Sequence, residues 1–460
     1  MRAELRSARA SGWRRRLGIT IVLAIAAALH GFLFRISYVP GPRALIGDEV
    51  VYWSVAQSLA EGDAPEYSLS LWPLPYARFL AGLVSVFGPR RGAVEIVQTL
   101  MLLAVVLVIH DLAGAWTGSP KAAATAAAAA LVYPPFLAFA HSLWPEVVHA
   151  LVFLGALRIL TRRPPAAGWL LAAGALLGLA VQAKSLLVPF LPVLLLLALG
   201  GVKGKAAIRR TAGRWALVGL GLALVLAPRL LGAPGTHLVE STATFNLWVG
   251  LNDRARKERV DPIAHKEFLA YEASAEAPRE RNAELRGKIR DKVRDEGVLT
   301  VLGRQLGRQY FRLFDKDSFL TAQLLAEAPG TAAEHPFRAA LKASIRTASY
   351  FLYALLLSGA VLGIAVRPPR GKPGLRIALA FLVYNLAIFL VLHVKSRYRV
   401  QLMPFIFLYF GCAVAWLTAR MGWNPAESEL WKENLSPFRG AVAAAGVALL
   451  LFLAFGGPMI

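Results

Sequence analysis

Hydrophobic and polar residues alternate along the chain in long blocks rather than residue by residue. Each apolar block is close to the roughly 20 residues that a helix needs to cross the hydrocarbon core of a bilayer. The pattern therefore predicts an all-α, polytopic membrane protein with about eleven transmembrane helices. The predicted spans lie near residues 17–36, 93–113, 120–140, 144–160, 168–184, 186–200, 214–232, 347–366, 376–393, 399–418 and 438–457.

Composition supports a membrane protein. Of 460 residues, 57% are hydrophobic and 17% are charged, whereas soluble domains average about 45–50% and about 25%. A net charge of +23 would suggest nucleic acid in a soluble protein. Here the basic residues lie between apolar blocks and no nucleic-acid motif is present, so we expect membrane lipids and no nucleic acid as partners. Because Cys412 is the single cysteine, no intramolecular disulfide and no cysteine-based metal site can form.

Basic residues occupy alternate short loops, which predicts the orientation of the chain. By the positive-inside rule these loops face the cytoplasm. The run at 17–36 resembles a signal peptide, but its length predicts a retained first helix with a cytoplasmic N-terminus. We therefore expect a multi-pass protein of the cytoplasmic (inner) membrane. The basic loop residues are Arg158, Arg162, Arg163, Lys203, Lys205, Arg209, Arg210, Arg214, Arg367, Arg370, Lys372 and Arg376.

Two long polar segments alternate with these loops, so they are predicted on the outer side of the membrane. The second holds more than half of the chain's 28 acidic residues and is helical by pattern. The predicted organisation is a basic cytoplasmic N-terminus (1–16), an N-terminal transmembrane core (17–232) with a first outer loop (37–92), a periplasmic helical insert (233–346) and C-terminal transmembrane helices (347–460).

One helix of the insert is predicted to be amphipathic. Val298, Leu302, Leu306, Tyr310 and Phe314 repeat every four residues. A basic series lies on the other side, at positions 304, 308, 312 and 316. Such a helix could lie flat on the outer leaflet or pack its apolar stripe inside the insert.

The first outer loop carries two adjacent carboxylates, Asp48 and Glu49, at the start of a predicted helix over about 49–61 that Gly62 closes. Ionised groups beside a bilayer are costly and usually functional. Each also has a local structural interpretation, because Asp48 could be an N-cap and Glu49 could favour the helix dipole.

Further charged residues are predicted at outer helix ends. Lys395, Arg397 and Arg399 lie there against the positive-inside trend, and so does Lys184. They could bind an anion, although snorkelling side chains would also explain such positions. Glu146 begins the fourth span. It could belong to the site, but a favourable charge at a helix start would also explain its position. His141 and His149 flank this loop, but two histidines with one glutamate make a poor ligand set, so we expect no metal.

Several short motifs resemble those of GT-C glycosyltransferases, in the branch of the protein O-mannosyltransferases and the aminoarabinose (lipid A) transferases. They occur in the family's order and on the same predicted side of the membrane. The motifs are Gly47-Asp48-Glu49, Leu71-Trp72-Pro73-Leu74-Pro75-Tyr76, Val86-Phe87-Gly88, Glu95-Ile96-Val97-Gln98, Ser142-Leu143-Trp144-Pro145-Glu146, Phe245–Asn252 and Lys395-Ser396-Arg397-Tyr398-Arg399 with Pro404.

The resemblance implies a GT-C bundle that transfers a sugar, with inversion, from a polyprenyl-phosphate carrier to an acceptor on the outer face. Asp48 would be the general base, and Glu49 would be a second catalytic residue that positions the acceptor or an amine-bearing sugar. Other residues would bind the phosphate or the substrates: Lys184, Lys395, Arg397, Arg399, Glu146, Tyr398 and Asn246. Asn246 precedes a Gly-Leu-Asn stretch where the family tends to have Gly-Asn-Asn, and a polar turn would also explain this segment. No cofactor is expected, because the lipid-linked sugar is a substrate.

Two other classes of protein combine many spans with outer charges. A lipid-linked polysaccharide ligase or polymerase would not require the acid pair. A non-enzymatic flippase or transporter of the same lipid should carry charges along the membrane midplane, and many such proteins have an internal repeat. A lipid, a glycan and a protein are all compatible acceptors.

Overall fold

The computed structural model describes residues 20–35, 44–63, 74–161, 166–199, 205–230, 243–252, 266, 269–270, 278–317, 324, 336–367, 372–423, 425–431 and 435–456. These residues form helices and connections, with no strand among them. The basic segment 1–16 and the Leu71-Trp72-Pro73 part of one motif lie outside these ranges. The predicted apolar runs are largely helical where the chain is described, but the run at 120–140 is broken before Pro134 and the run at 376–393 leaves the helix after Phe389.

Seventeen α-helices are named here in chain order. The first nine are α1 (Thr20–Arg35), α2 (Asp48–Glu61), α3 (Leu74–Phe87), α4 (Arg91–Thr117), α5 (Pro120–Val132), α6 (Pro134–Leu137), α7 (Glu146–Leu160), α8 (Ala167–Ala183) and α9 (Leu191–Leu199). The others are α10 (Lys205–Leu230), α11 (Ala243–Asn252), α12 (Pro278–Glu296), α13 (Val298–Phe314), α14 (Pro336–Val366), α15 (Pro373–Phe389), α16 (Met403–Arg420) and α17 (Pro437–Phe455). Short 3₁₀ helices cover Ala138–His141, Ser185–Phe190, Ser396–Gln401 and Pro425–Trp431.

Within the described part of the chain, five helices are long and apolar enough to cross a membrane. A sixth candidate span is α5 with the stretch Pro134–His141, which bends by 68° at a break before Pro134. Proline explains this break, since it has no N–H to continue the helix ladder. A count of about eleven spans remains a prediction.

Local signals explain where several helices begin and end. Ser119 caps α5 by accepting a hydrogen bond from the Ala122 N–H, with Pro120 in the first turn. Ser436 caps α17 in the same way through the Arg439 N–H. Gly62 ends α2 with φ at 85°, a conformation that favours glycine.

Small residues allow the central helices to pack with backbones in close contact. A Cβ added to Gly221 of α10 would lie 2.1 Å from the Leu171 carbonyl oxygen of α8. The alanine-rich α5 packs on α16 in the same manner, where a Cβ on Gly411 would lie 2.3 Å from the Ala122 oxygen. Such contacts are how membrane helices gain packing energy without a hydrophobic driving force between them.

The bundle has two chemically different ends. At one end, Arg158 pairs with Asp111, and Arg367 donates hydrogen bonds to the carbonyl oxygens of Thr117 and Leu430. At the other end lie the start of α2, the start of α7, the last turn of α8 and the 3₁₀ helix Ser396–Gln401. This second end is called the site end below.

Candidate active site

Asp48 and Arg397 form an ion pair at the site end. Nη2 of Arg397 donates a hydrogen bond to Oδ2 of Asp48 over 2.8 Å. Asp48 is the first residue of α2, and the residue in the N-cap position is Gly47, with no side-chain cap. Asp48 thus lies in the first turn of α2, one residue after the N-cap position. Its side chain is 29% exposed, so the carboxylate remains accessible to a substrate.

Arg397 is held on several sides but keeps unused donors. Its guanidinium carbon lies 3.8 Å from the centroid of the Trp144 ring and 5.4 Å from that of Tyr398. Burial is the largest single influence and opposes its charge, but Asp48, Tyr398 and Glu146 together outweigh burial, so the pKa of Arg397 is raised above its usual value. Its Nε and Nη1 are buried and have no hydrogen-bond partner among the described residues. Arg397 is thus a fixed cation with two N–H groups able to bind an anion.

A second ion pair lies close to Tyr398. Nζ of Lys184 and Oε1 of Glu146 are 2.9 Å apart, and both side chains are nearly buried. The same ammonium lies 5.4 Å from the centroid of the Tyr398 ring. Oε2 of Glu146 is buried without a partner in the described part of the chain. Lys184, Glu146, Arg397 and Tyr398, four of the predicted site residues, therefore meet in one place.

Glu49, next to Asp48, faces the protein interior. Its side chain is fully buried, Oε1 accepts from the Leu143 N–H at 2.9 Å, and Oε2 accepts from the Ile46 N–H at 3.3 Å. Successive residues of an α-helix point about 100° apart, so one carboxylate can face the site while its neighbour faces the core. Glu49 ties the loop before α7 to the start of α2.

The same loop is fixed from α4 by Gln98. Its Nε2 donates to the carbonyl oxygens of Ser142 and Ala140, and its Oε1 accepts from the Tyr76 hydroxyl at 2.9 Å. These contacts and the Glu49 bonds hold the backbone that carries Trp144. Sequence reasoning missed Trp144, Gln98 and Tyr76 as individual residues; the only signal was that each lies in a motif shared with the family.

His141 belongs to a separate buried cluster. Its Nδ1 lies 3.4 Å from Oε2 of Glu95, and its Nε2 lies 2.9 Å from Nδ1 of His30. Among the described residues, no group of three or more histidine, cysteine, aspartate or glutamate side chains could hold a metal ion.

The remaining predicted site residues lie around the site with other contacts. Arg399 is buried, donates to the Asp315 carbonyl oxygen and lies 4.2 Å from the Tyr353 ring centroid. A 3₁₀ helix turns about 120° per residue, so Arg397 and Arg399 point in different directions. Lys395 precedes this helix, and its carbonyl oxygen accepts from the Tyr398 N–H. The Asn246 carbonyl oxygen accepts from the His393 N–H at 2.8 Å, which places α11 against the same connection.

Residues 73–231, about a third of the chain, match the family described as dolichyl-phosphate-mannose-protein mannosyltransferase. This match confirms the resemblance to GT-C glycosyltransferases that the motifs predicted. The matched stretch contains Trp144, Glu146 and Lys184. Together with the apolar helices it supports a multi-pass membrane protein.

A comparison with solved structures found two oligosaccharyltransferases at low similarity. One is the archaeal oligosaccharyltransferase AglB from Archaeoglobus fulgidus in complex with an inhibitory peptide and a dolichol-phosphate. It is 14% identical, with a TM-score of 0.49, and the match covers 95% of this chain and 54% of that chain. The other is the oligosaccharyltransferase of the same organism in the apo form, with 14% identity, a TM-score of 0.48, and 95% and 55% covered. The chain thus spans about half the length of these structures. No curated protein matches it.

Proposed function

We propose that the protein is a membrane glycosyltransferase. It moves a sugar from a polyprenyl-phosphate donor to an acceptor hydroxyl or phosphate at the site end, with inversion at the anomeric carbon. The observation that carries this proposal is the contact between Asp48 and Arg397. An accessible carboxylate lies beside a fixed cation with two unused donors. This combination suits a reaction in which the carboxylate takes a proton from the acceptor oxygen while the cation stabilises the departing phosphate.

Asp48 acts as the general base in the proposed reaction. For a hydroxyl acceptor, the carboxylate takes the proton as the acceptor oxygen attacks the anomeric carbon. The bond from that carbon to the donor phosphate oxygen breaks, and its electron pair stays on the phosphate. For a phosphate acceptor that is already ionised, no proton needs to move, and Asp48 instead orients the acceptor through Arg397.

Arg397 stabilises the departing phosphate. Negative charge develops on the phosphate oxygens as the bond breaks, and Nε and Nη1 are the groups available to bind it. Lys184 is a second cation close to the Tyr398 ring, and Glu146 holds it in place. Glu49 is a positioning residue, since one oxygen accepts from the Leu143 N–H in the loop beneath Arg397 and the other accepts from the Ile46 N–H just before α2.

The predicted orientation supports a site on the outer, periplasmic face. Helix α7 begins at Glu146 in the site and has Arg158 in its last turn. Arg367 also lies at the end opposite to the site. If these basic residues face the cytoplasm, the site faces outward, where the head group of a lipid-linked donor can reach it without the tail leaving the bilayer.

The test is radiolabel transfer from a panel of synthetic polyprenyl-phosphate sugars to native membrane acceptors, with purified wild type and Asp48→Asn. We expect wild type to label an acceptor and Asp48→Asn to do so at least about a hundredfold more slowly while still binding the donor. The matched control is Asp111→Asn, which removes an acid at the opposite end and should keep activity.

Equal transfer by Asp48→Asn and wild type would contradict the general-base role. Movement of the lipid across vesicles by both proteins, with no transfer by either, would show that the protein is a flippase rather than a glycosyltransferase. Label in a polymerised lipid-linked glycan would indicate the polysaccharide polymerase class.

A further inference from the structure

Helix α13 exposes apolar side chains and buries polar ones. Leu299 is 86% exposed and Leu306 is 49% exposed, and they lie on one side of the helix. The side that packs on the protein carries Gln305, Gln309 and Arg312, all almost completely buried. A helix on the surface of a water-soluble domain has the opposite arrangement. The predicted apolar stripe is divided, because Val298 and Leu306 are exposed whereas Phe314 is buried, so it neither packs wholly inside the insert nor faces wholly outward.

The buried polar groups of α13 attach it firmly to the neighbouring helix. Nε2 of Gln305 and Nε2 of Gln309 both donate to the Gly250 carbonyl oxygen, over 2.6 and 3.1 Å. The Tyr310 hydroxyl donates to the Leu386 carbonyl oxygen in the last turn of α15. Because these bonds fix which side of α13 faces the protein, they also fix the outward direction of Leu299 and Leu306.

The C-terminal end of α13 lies beside a candidate membrane span. Phe311 packs against Phe452 of α17 with ring centroids 5.4 Å apart, and the Lys316 N–H donates to the Ala454 carbonyl oxygen. On α17, Leu449 and Phe452 are more than half exposed. A spanning helix exposes such residues to acyl chains, so the C-terminal end of α13 lies at the edge of a lipid-facing surface.

The basic residues of α13 occupy a third side of the helix. At about 100° per residue, Arg304 and Arg308 project roughly opposite to Leu299 and Leu306. Arg304 pairs with Glu296 at the end of α12. The helix thus has an apolar side, a protein-facing side and a charged side. This division suits a helix that lies in a membrane interface with its charges toward the head groups.

We propose that α13 is an interfacial helix that lies flat in the leaflet at the site end and inserts Leu299 and Leu306 among the acyl chains. The occupant of the exposed face is the bilayer itself. Helix α13 ends at Phe314, and the next carbonyl oxygen, that of Asp315, accepts from Arg399. The lipid-bound helix is therefore connected to the 3₁₀ helix that carries Arg397.

The test places an environment-sensitive fluorophore on single cysteines in a Cys412→Ala background, with the full chain in phosphatidylcholine liposomes. The labelled positions are Leu299→Cys and Leu306→Cys. Ala283→Cys is the matched control, because it is also exposed but lies on α12. Quenching is measured with iodide in the water and with a nitroxide on the lipid acyl chain.

We expect the acyl nitroxide to quench the fluorophore at positions 299 and 306 at least about threefold more than at position 283. Iodide should quench it correspondingly less at 299 and 306. The reason is that an interfacial helix buries its apolar side about 5–10 Å deep. Iodide quenching as strong as at position 283 would show that the face is in water and would overturn the proposal. Protection from both quenchers would show that protein covers the face and would overturn it equally. Neither result depends on glycosyl transfer.

Discussion

The guanidinium of Arg397 lies over the indole ring of Trp144, with its carbon 3.8 Å from the ring centroid. The same guanidinium donates from one edge to Asp48. Contact on a face and on an edge leaves Arg397 little freedom to rotate, so its two unused N–H groups point in fixed directions. The proposed reaction depends on this preorganisation, because donors that are already oriented cost no reorganisation when the phosphate departs.

Replacement of Trp144 should weaken the proposed phosphate site. A desolvated cation–π contact contributes about 2 kcal/mol, which corresponds to roughly a 30-fold change in an equilibrium constant. We expect Trp144→Leu to lower kcat/KM for sugar transfer by about this factor and Trp144→Phe to lower it less. Steady-state kinetics with the labelled donor measure both. Equal activity of Trp144→Leu and wild type would show that the ring does not support Arg397.

Glu49→Gln should lower activity because it disturbs the loop at Leu143, and not because a proton acceptor is lost. Gln keeps one acceptor oxygen, so one of the N–H groups of Ile46 and Leu143 loses its partner, at a cost of about 1–3 kcal/mol. We expect a lower unfolding temperature and a lower kcat, with the pH dependence of kcat/KM unchanged in shape. Loss of the acid limb of that pH profile in Glu49→Gln would instead identify Glu49 as the base.

The Lys184–Glu146 pair should show strong coupling in a double-mutant cycle. Removal of one partner from a buried ion pair leaves an uncompensated charge and costs about 3–5 kcal/mol. Lys184→Met and Glu146→Gln should therefore each destabilise the protein more than the double variant does. Thermal unfolding in one detergent gives the comparison. Additive effects would show that the two side chains do not interact in the folded protein.

Close packing of α8 on α10 predicts different outcomes for two neighbouring glycines. In Gly221→Ala, the new Cβ would meet the Leu171 carbonyl oxygen at 2.1 Å, so the helices must move apart. In Gly219→Ala, the Cβ meets nothing within 4 Å, and alanine is the better helix former by about 1 kcal/mol. We expect a clearly lower unfolding temperature for Gly221→Ala and no loss for Gly219→Ala. Similar values for both would contradict this helix contact.

The sequence by itself predicted an all-helical membrane protein and its class. Apolar runs are local signals, so most of the helices could be located without knowledge of their partners. The break before Pro134, within the run predicted at 120–140, was not predicted. The short motifs supplied the resemblance that the family match confirms over residues 73–231.

Only the tertiary structure decided what neighbouring residues do. Asp48 and Glu49 are adjacent and chemically alike, yet the first binds Arg397 and the second binds backbone N–H groups. Likewise, Arg397 bonds to Asp48 in the site, whereas Arg399 bonds to the Asp315 carbonyl oxygen in the insert. For α13 the periodicity located an apolar stripe, but only packing showed that Leu306 is exposed and Phe314 is buried. Each outcome depends on contacts between residues far apart in the chain, 349 positions in the case of Asp48 and Arg397, and local periodicity carries no information about such distant partners.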